Sequence, residues 1–254
     1  MRISELRWSL GPLCMLFCVA LLGPVVIHAQ EDDPRLETRL LRTAANQQSL
    51  GDRARAEETL RRLMDQRPTS TRGIFALEGV LRAQGRIREV LPFAERFAEL
   101  EPYASVPRLL EFRVYIELDD ESGLEDAAED WMDDGGPLPE PYQEVARVYG
   151  RVFGPERALS ILERGRRELV RPSLFAMEAG DFLRDLGRME EAVLEWAGVI
   201  GNDGSQVSAV MRRVAEIEED RETLVLPLLE QLRRPPTTGA RLRARDGHVS
   251  RRAG

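Results

Sequence analysis

The sequence predicts an all-α chain, a solenoid of stacked helical hairpins, and three observations carry that reading. Apolar residues recur at helical spacing from Arg35 onward, without strand-like alternation. Turn glycines and helix-ending prolines return at one fixed step, which separates Gly51 from Gly85 and, equally, Pro68 from Pro102. A composition of 31% charged and only 6% aromatic residues suits exposed helix faces over a narrow core.

In the first hairpin Leu36, Leu40, Leu41 and Ala44 share one stripe and Ala56, Leu60, Leu63 and Met64 the next. Gly51 divides the two helices as a C-cap and Pro68 stops the second. The second hairpin repeats the scheme with Ile74, Leu77 and Leu81, then Val90, Phe93, Ala94 and Phe97, ended by Pro102. Pro92 falls inside its second helix, where a missing donor and a ring clash kink the backbone. The third hairpin is irregular. Val106, Leu109, Leu110, Val114 and Ile116 form its first stripe, while Leu124, Ala127, Ala128 and Trp131 fit the period only with a slip of one to three residues.

The fourth hairpin carries Tyr142-x2-Val145-Ala146-x2-Tyr149, a Gly154-Pro155 turn, Ala158-x3-Leu162 and Pro172. The fifth carries Ala176-x2-Ala179-Gly180-x2-Leu183, a turn at Gly187, and Ala192-x3-Trp196. Small residues mark where its two helices press together, and both Trp131 and Trp196 fit core positions. A sixth pair, 207–217 and 223–232, echoes Val90-Leu91-Pro92 in Val225-Leu226-Pro227.

These units, over about residues 35–234, resemble the tetratricopeptide repeat, whose unit of about 34 residues reads W-x2-L-G-x2-Y, then A-x3-F, then P. Leu40, Ile74 and Ala176 stand at its tryptophan position and Glu78 at its glycine. The resemblance implies a right-handed α-solenoid of five to six helix pairs over residues 30–234. It also implies a non-catalytic scaffold that binds a protein or peptide on a concave face lined by first helices. The candidate partner-binding residues are then Phe75, Gly79 and Arg82, Gln143, Arg147 and Arg151, and Met177, Asp181 and Arg184. Arg82 and Arg184 occupy matching repeat positions, so a row of guanidinium forks for carboxylates is one expectation.

Residues 1–29 read as an export signal: Arg2 and Arg7 lead, an apolar run spans about Leu10 to Ile27, and Ala29 offers a cleavage point before Gln30. An uncleaved anchor is the alternative, because the apolar run is longer than usual. The expected location is therefore across a bacterial-type membrane, periplasmic or extracellular. Residues 235–254 are expected to be a disordered arginine-rich tail. That tail also leaves room for an alternative, an assembly or regulatory region of a larger envelope complex.

The chain contains no lysine, and its two histidines, His28 and His248, fall in the segments flanking the repeats. Lysine-based Schiff chemistry is excluded and histidine-based acid–base or metal chemistry is not expected. No catalytic residues and no cofactor are assigned. Residues 1–29 carry +1 and residues 233–254 carry +6 of a total of −8, which leaves −15 on residues 30–232. A body that acidic disfavours nonspecific nucleic-acid binding. The carboxylates between Asp119 and Asp134 do not form a calcium loop, since taking Gly123 as its glycine puts Leu118 in the first liganding position. They read as a solvated acidic face.

Overall fold

The computed structural model describes residues 35–202, 206–215 and 226; the export segment, the second helix of the sixth pair and the arginine-rich tail lie outside the described residues. The chain divides into two units, 1–36 and 37–254. Every regular element among the described residues is helical. The helices are α1 (Leu36–Ser49), α2 (Arg53–Gln66), α3 (Thr71–Arg82), α4 (Leu91–Leu100), α5 (Ser105–Glu117) and α6 (Glu121–Asp134). They continue with α7 (Glu140–Val152), α8 (Pro155–Glu168), α9 (Ala176–Asp185), α10 (Met189–Asn202) and α11 (Val207–Ala215). From α2 onward consecutive elements pack on one another, α3 and α4 through the short 3-10 turn Ile87–Val90 between them, and α5 also touches α7, the next first helix. This is the nearest-neighbour arrangement of an α-solenoid.

The hairpin turns keep the period more faithfully than the sequence suggests. Gly51, Gly85 and Gly187 adopt positive φ, and so does Asp119, which lies one repeat step beyond Gly85. At all four places the next residue's N–H bonds back to a carbonyl five positions earlier: Asp52 to Gln47, Arg86 to Leu81, Asp120 to Tyr115, Arg188 to Leu183. That pattern closes a helix with a left-handed residue, for which glycine has no Cβ penalty. Replacing Asp119 by Gly is therefore expected to stabilise the protein by about 0.5 kcal/mol, read as a higher denaturation midpoint. A lower midpoint would show that the aspartate side chain stabilises that turn.

Side-chain caps then start the following helices. Asp52 Oδ1 accepts from Arg55 N, Ser70 Oγ from Gly73 N and Asp120 Oδ1 from Gly123 N, at 3.1, 2.9 and 3.0 Å. Pro92 does not kink a helix as expected. Residues Ile87–Val90 form a separate 3-10 turn and α4 begins at Leu91, so the proline sits in a first turn where no donor is needed.

The third hairpin is in register, without the expected slip. Leu124, Ala128 and Trp131 each lie one repeat step beyond Val90, Ala94 and Phe97, and all six are buried. The expected first stripe of α5 is half wrong. Leu110 and Val114 are buried, but Leu109 and Ile116 are 37% and 41% exposed. Arg108 and Glu111 are buried in their place, one repeat step beyond Ile74 and Leu77. Charge on the two signature core positions hid the repeat.

One continuous apolar cluster runs from Phe112 to Val214. Its tightest seam joins α9 to α10, where Trp196 is fully buried and its indole occupies the space a Cβ on Gly180 would fill. Gly165 likewise leaves room for Tyr142 and Phe175, and Gly150 for Phe182.

Candidate functional site

Side chains three and four apart share a helix face, so each first helix presents one exposed row. Polar and ring contacts stitch these rows across neighbouring repeats. Arg113 of α5 reaches back to α3, bonding Glu78 at 2.5 Å and placing its guanidinium 5.3 Å from the centre of the Phe75 ring. Arg82 bonds Glu117 at 2.9 Å. Gln143 bonds Glu178 at 2.5 Å, and Arg213 grips Asp181 with two 2.6 Å bonds.

The sequence-derived residues fall along these rows, but the arginine forks are already occupied by the chain's own carboxylates. Arg82 holds Glu117, and its Nη2 stands 2.8 Å from Glu78 Oε1 as an ion pair without hydrogen-bond geometry. Hydrogen bonding to Glu117 raises the Arg82 pKa further, ahead of the opposing effect of burial. Arg184 holds Asp185 at 3.0 Å, with Asp181 at 3.9 Å. Arg147 is paired with Glu144 at 2.6 Å, while Arg151 is exposed and has no ion pair among the described residues. Gly79 faces open space. Met177 lines a cleft of about 800 Å³ with Phe175, Glu178 and Arg213.

Sequence reasoning missed the two most telling residues of the surface. Leu109 and Ile116 share the α5 face with Arg113, which in turn lies on Phe75, itself 40% exposed. An apolar patch divided by one guanidinium thus spans α3 and α5. The helix faces the same way as α3, with Leu109 and Ile116 one repeat step beyond the exposed Phe75 and Arg82, but its residue types are exchanged: apolar side chains stand on the outer row and Arg108 and Glu111 on core positions. Registering Arg108 and Glu111 on Ile74 and Leu77 at the repeat step was the available signal.

Inside α5 the buried pair is poorly satisfied. Arg108 Nη1 donates to Glu111 Oε2 over a long 3.4 Å, and Nη2 donates to Asp134 at 3.1 Å. Arg108 Nε and Glu111 Oε1 have no partner. Burial pushes the Glu111 carboxyl up to about 7; Arg108 opposes the shift, and Glu95 and Asp130 add to it.

The second helices carry their own ladder. Glu57 with Arg86, Glu89 with Arg61, Asp120 with Arg88, Glu125 with Arg157, Glu129 and Asp133 with Arg164, and Glu195 with Arg166 all join adjacent repeats. Much of the expected solvated acidic face on α6 is therefore laced by arginines. At Glu57 burial raises the pKa, but hydrogen bonds from Arg61, Gln84 and Arg86 outweigh it and hold the group low.

No protein-family model matches the chain, and neither does any curated protein. Among solved structures the chain is similar to MamA, at 13% identity and a TM-score of 0.40 over 73% of this chain and 97% of that one. It is similar to TTC0263, a thermophilic TPR protein of Thermus thermophilus, at 14% identity and a TM-score of 0.40, covering 75% of this chain and 99% of that one. It is also similar to YrrB, a TPR protein with an unusual peptide-binding site, at 17% identity and a TM-score of 0.36 over 75% and 99% of the two chains.

Among the described residues no group of three or more His, Cys, Asp or Glu side chains could hold a metal ion. No helix of the described residues is long and apolar enough to cross a membrane.

Proposed function

We propose that the chain is a non-catalytic scaffold of the cell envelope that binds a protein or peptide on the exposed row of its first helices. The observation that carries this reading is the exchanged pattern of α5, which places Leu109 and Ile116 on the exposed row beside Phe75 while Arg108 and Glu111 are buried behind them. Exposing apolar side chains at the expense of core positions costs stability, and a docking partner is the ordinary reason for it. Arg113, lying over the Phe75 ring yet still 47% exposed, supplies a guanidinium in the middle of the patch. Envelope location rests on the sequence alone, on the uncharged run Leu13–Leu22 behind Arg2 and Arg7.

Cross-linking the full-length native protein in fractionated cells tests both parts. One defined partner is expected in the envelope fraction, lost when Phe75, Leu109 and Ile116 are all replaced by Ser, with the helical fold intact by circular dichroism. Cross-links unaffected by the triple substitution would refute the surface. Recovery of intact Met1 protein from the cytosol alone would refute the location.

A further inference from the structure

In α3, α7 and α9 the positions matching Arg108 and Glu111 are held by Ile74 and Leu77, by Tyr142 and Val145, and by Ala176 and Ala179, all buried. Only α5 among these helices puts a charged pair there, between α4 on one side and α6 on the other. Glu111 is 3% exposed, one of its oxygens has no partner, and the other meets Arg108 at 3.4 Å. Arg108 is itself divided between Glu111 and Asp134. The groups around Glu111 are Glu95 from α4, Asp130 and Asp134 from α6, and Arg108 and Tyr115 from α5 itself. Glu78 of α3 is taken up by Arg113, and Glu144 of α7 by Arg147, so neither neighbour brings a free cation to the pair. Glu111 is thus the buried member of the group, bonded to Arg108 alone, while Glu95, Asp130 and Asp134 stand at the exposed edge of the seam.

We infer that Glu111 is a proton-operated joint of the stack: protonated, it is a neutral group that fits the seam, and ionised, it loosens α5 from α4 and α6. The step is a simple loss of the carboxyl proton to solvent. It leaves a buried carboxylate with one long contact, repelled by the exposed carboxyls of Glu95 and Asp130.

The sign follows from linkage. The ordinary value of the group is 4.5 and the folded value is about 7. Below the lower value the carboxyl is protonated in folded and unfolded chains alike and has no effect. Between the two values only the unfolded chain has ionised, so each rise in pH favours opening; above the upper value the full penalty is present and constant. Because α5 also carries Leu109, Arg113 and Ile116, the joint governs how that face sits against Phe75. That last consequence rests on the proposed binding surface, whereas the joint itself does not.

Amide hydrogen exchange on the full chain without partner, corrected for intrinsic rates, tests the joint at about pH 5.5 and about pH 8.5. Protection in α5 and α6 is expected to fall by more than about tenfold at the higher pH, with α9 and α10 changing far less. Glu111→Gln, which is neutral throughout, is expected to remove the difference. Carbon NMR of the Glu111 carboxyl in the wild-type chain supplies a readout that needs no variant, with an expected midpoint near 7. The inference is overturned if α5 and α6 track α9 and α10 at both pH values, if Glu111→Gln keeps the wild-type loss, or if the carboxyl titrates in the ordinary range.

Discussion

Trp196→Ala is expected to lower the unfolding free energy by about 3–5 kcal/mol, measured by chemical denaturation. The indole is fully buried, lies on Gly180, and points its N–H at the Met177 carbonyl 3.4 Å away. Truncation therefore opens a cavity at the seam of α9 and α10, which a glycine cannot collapse to fill. The converse change, Gly180→Leu, forces side-chain atoms into the indole and is expected to cost about 1–3 kcal/mol or more. Since stability in a stacked array is a sum over neighbours, the loss should emerge first as early unfolding of α9 and α10. A Trp196→Ala protein within about 1 kcal/mol of wild type would show that the seam repacks freely.

The second large effect has opposite signs for one residue and for two. Arg108→Ala at about pH 8 strips the buried Glu111 carboxylate of the cation beside it; the carboxyl can then take up a proton, which one unit above its folded value costs about 1.4 kcal/mol, so the loss from charge is expected to be about 1 kcal/mol. The loss should shrink as the pH falls through about 7, because Glu111 then takes up a proton. Changing both residues to those one repeat earlier, Arg108→Ile with Glu111→Leu, is expected to stabilise the chain by about 1–4 kcal/mol. Ile74 and Leu77 fill the same positions with 0% exposure, so volume and shape suit the seam. Thermal unfolding of the two variants side by side decides the matter. A double variant less stable than wild type would mean the pair contributes more than it costs.

What the sequence revealed and concealed follows from which residues carry the period. Gly51, Gly85, Pro68 and Pro102 have backbone roles that few residues can fill, so their spacing is plain in the sequence. The fourth and fifth hairpins are equally plain, because Tyr142, Tyr149 and Trp196 are large and sit where packing demands them. The third hairpin hides its register because Asp119 takes a glycine's conformation and Arg108 and Glu111 take apolar positions. Hydrophobicity then assigns Leu109 and Ile116 to the core, although both are exposed.

That these first-helix positions lie off the core stripe was legible: Phe75, Arg82 and Arg147 are exposed and Arg184 is half-buried. Their partners were not. Glu78 and Arg113, or Glu129 and Arg164, are 35 residues apart, a separation that means contact only once the stack is known. Lone arginines in a sequence look available; here many had already been claimed.

Among the described residues, polar links between repeats join positions about one repeat apart, as in Arg82 with Glu117 and Gln143 with Glu178, 35 positions apart in each case. A hairpin leaving the ribosome therefore meets its partners within about one further repeat of synthesis, and the entropy of closing its loops does not grow with the length already made. Local contacts of this kind favour rapid, vectorial folding. The arginine ladder thus works as an assembly order written along the polypeptide: each new pair of helices is fastened to the one before it.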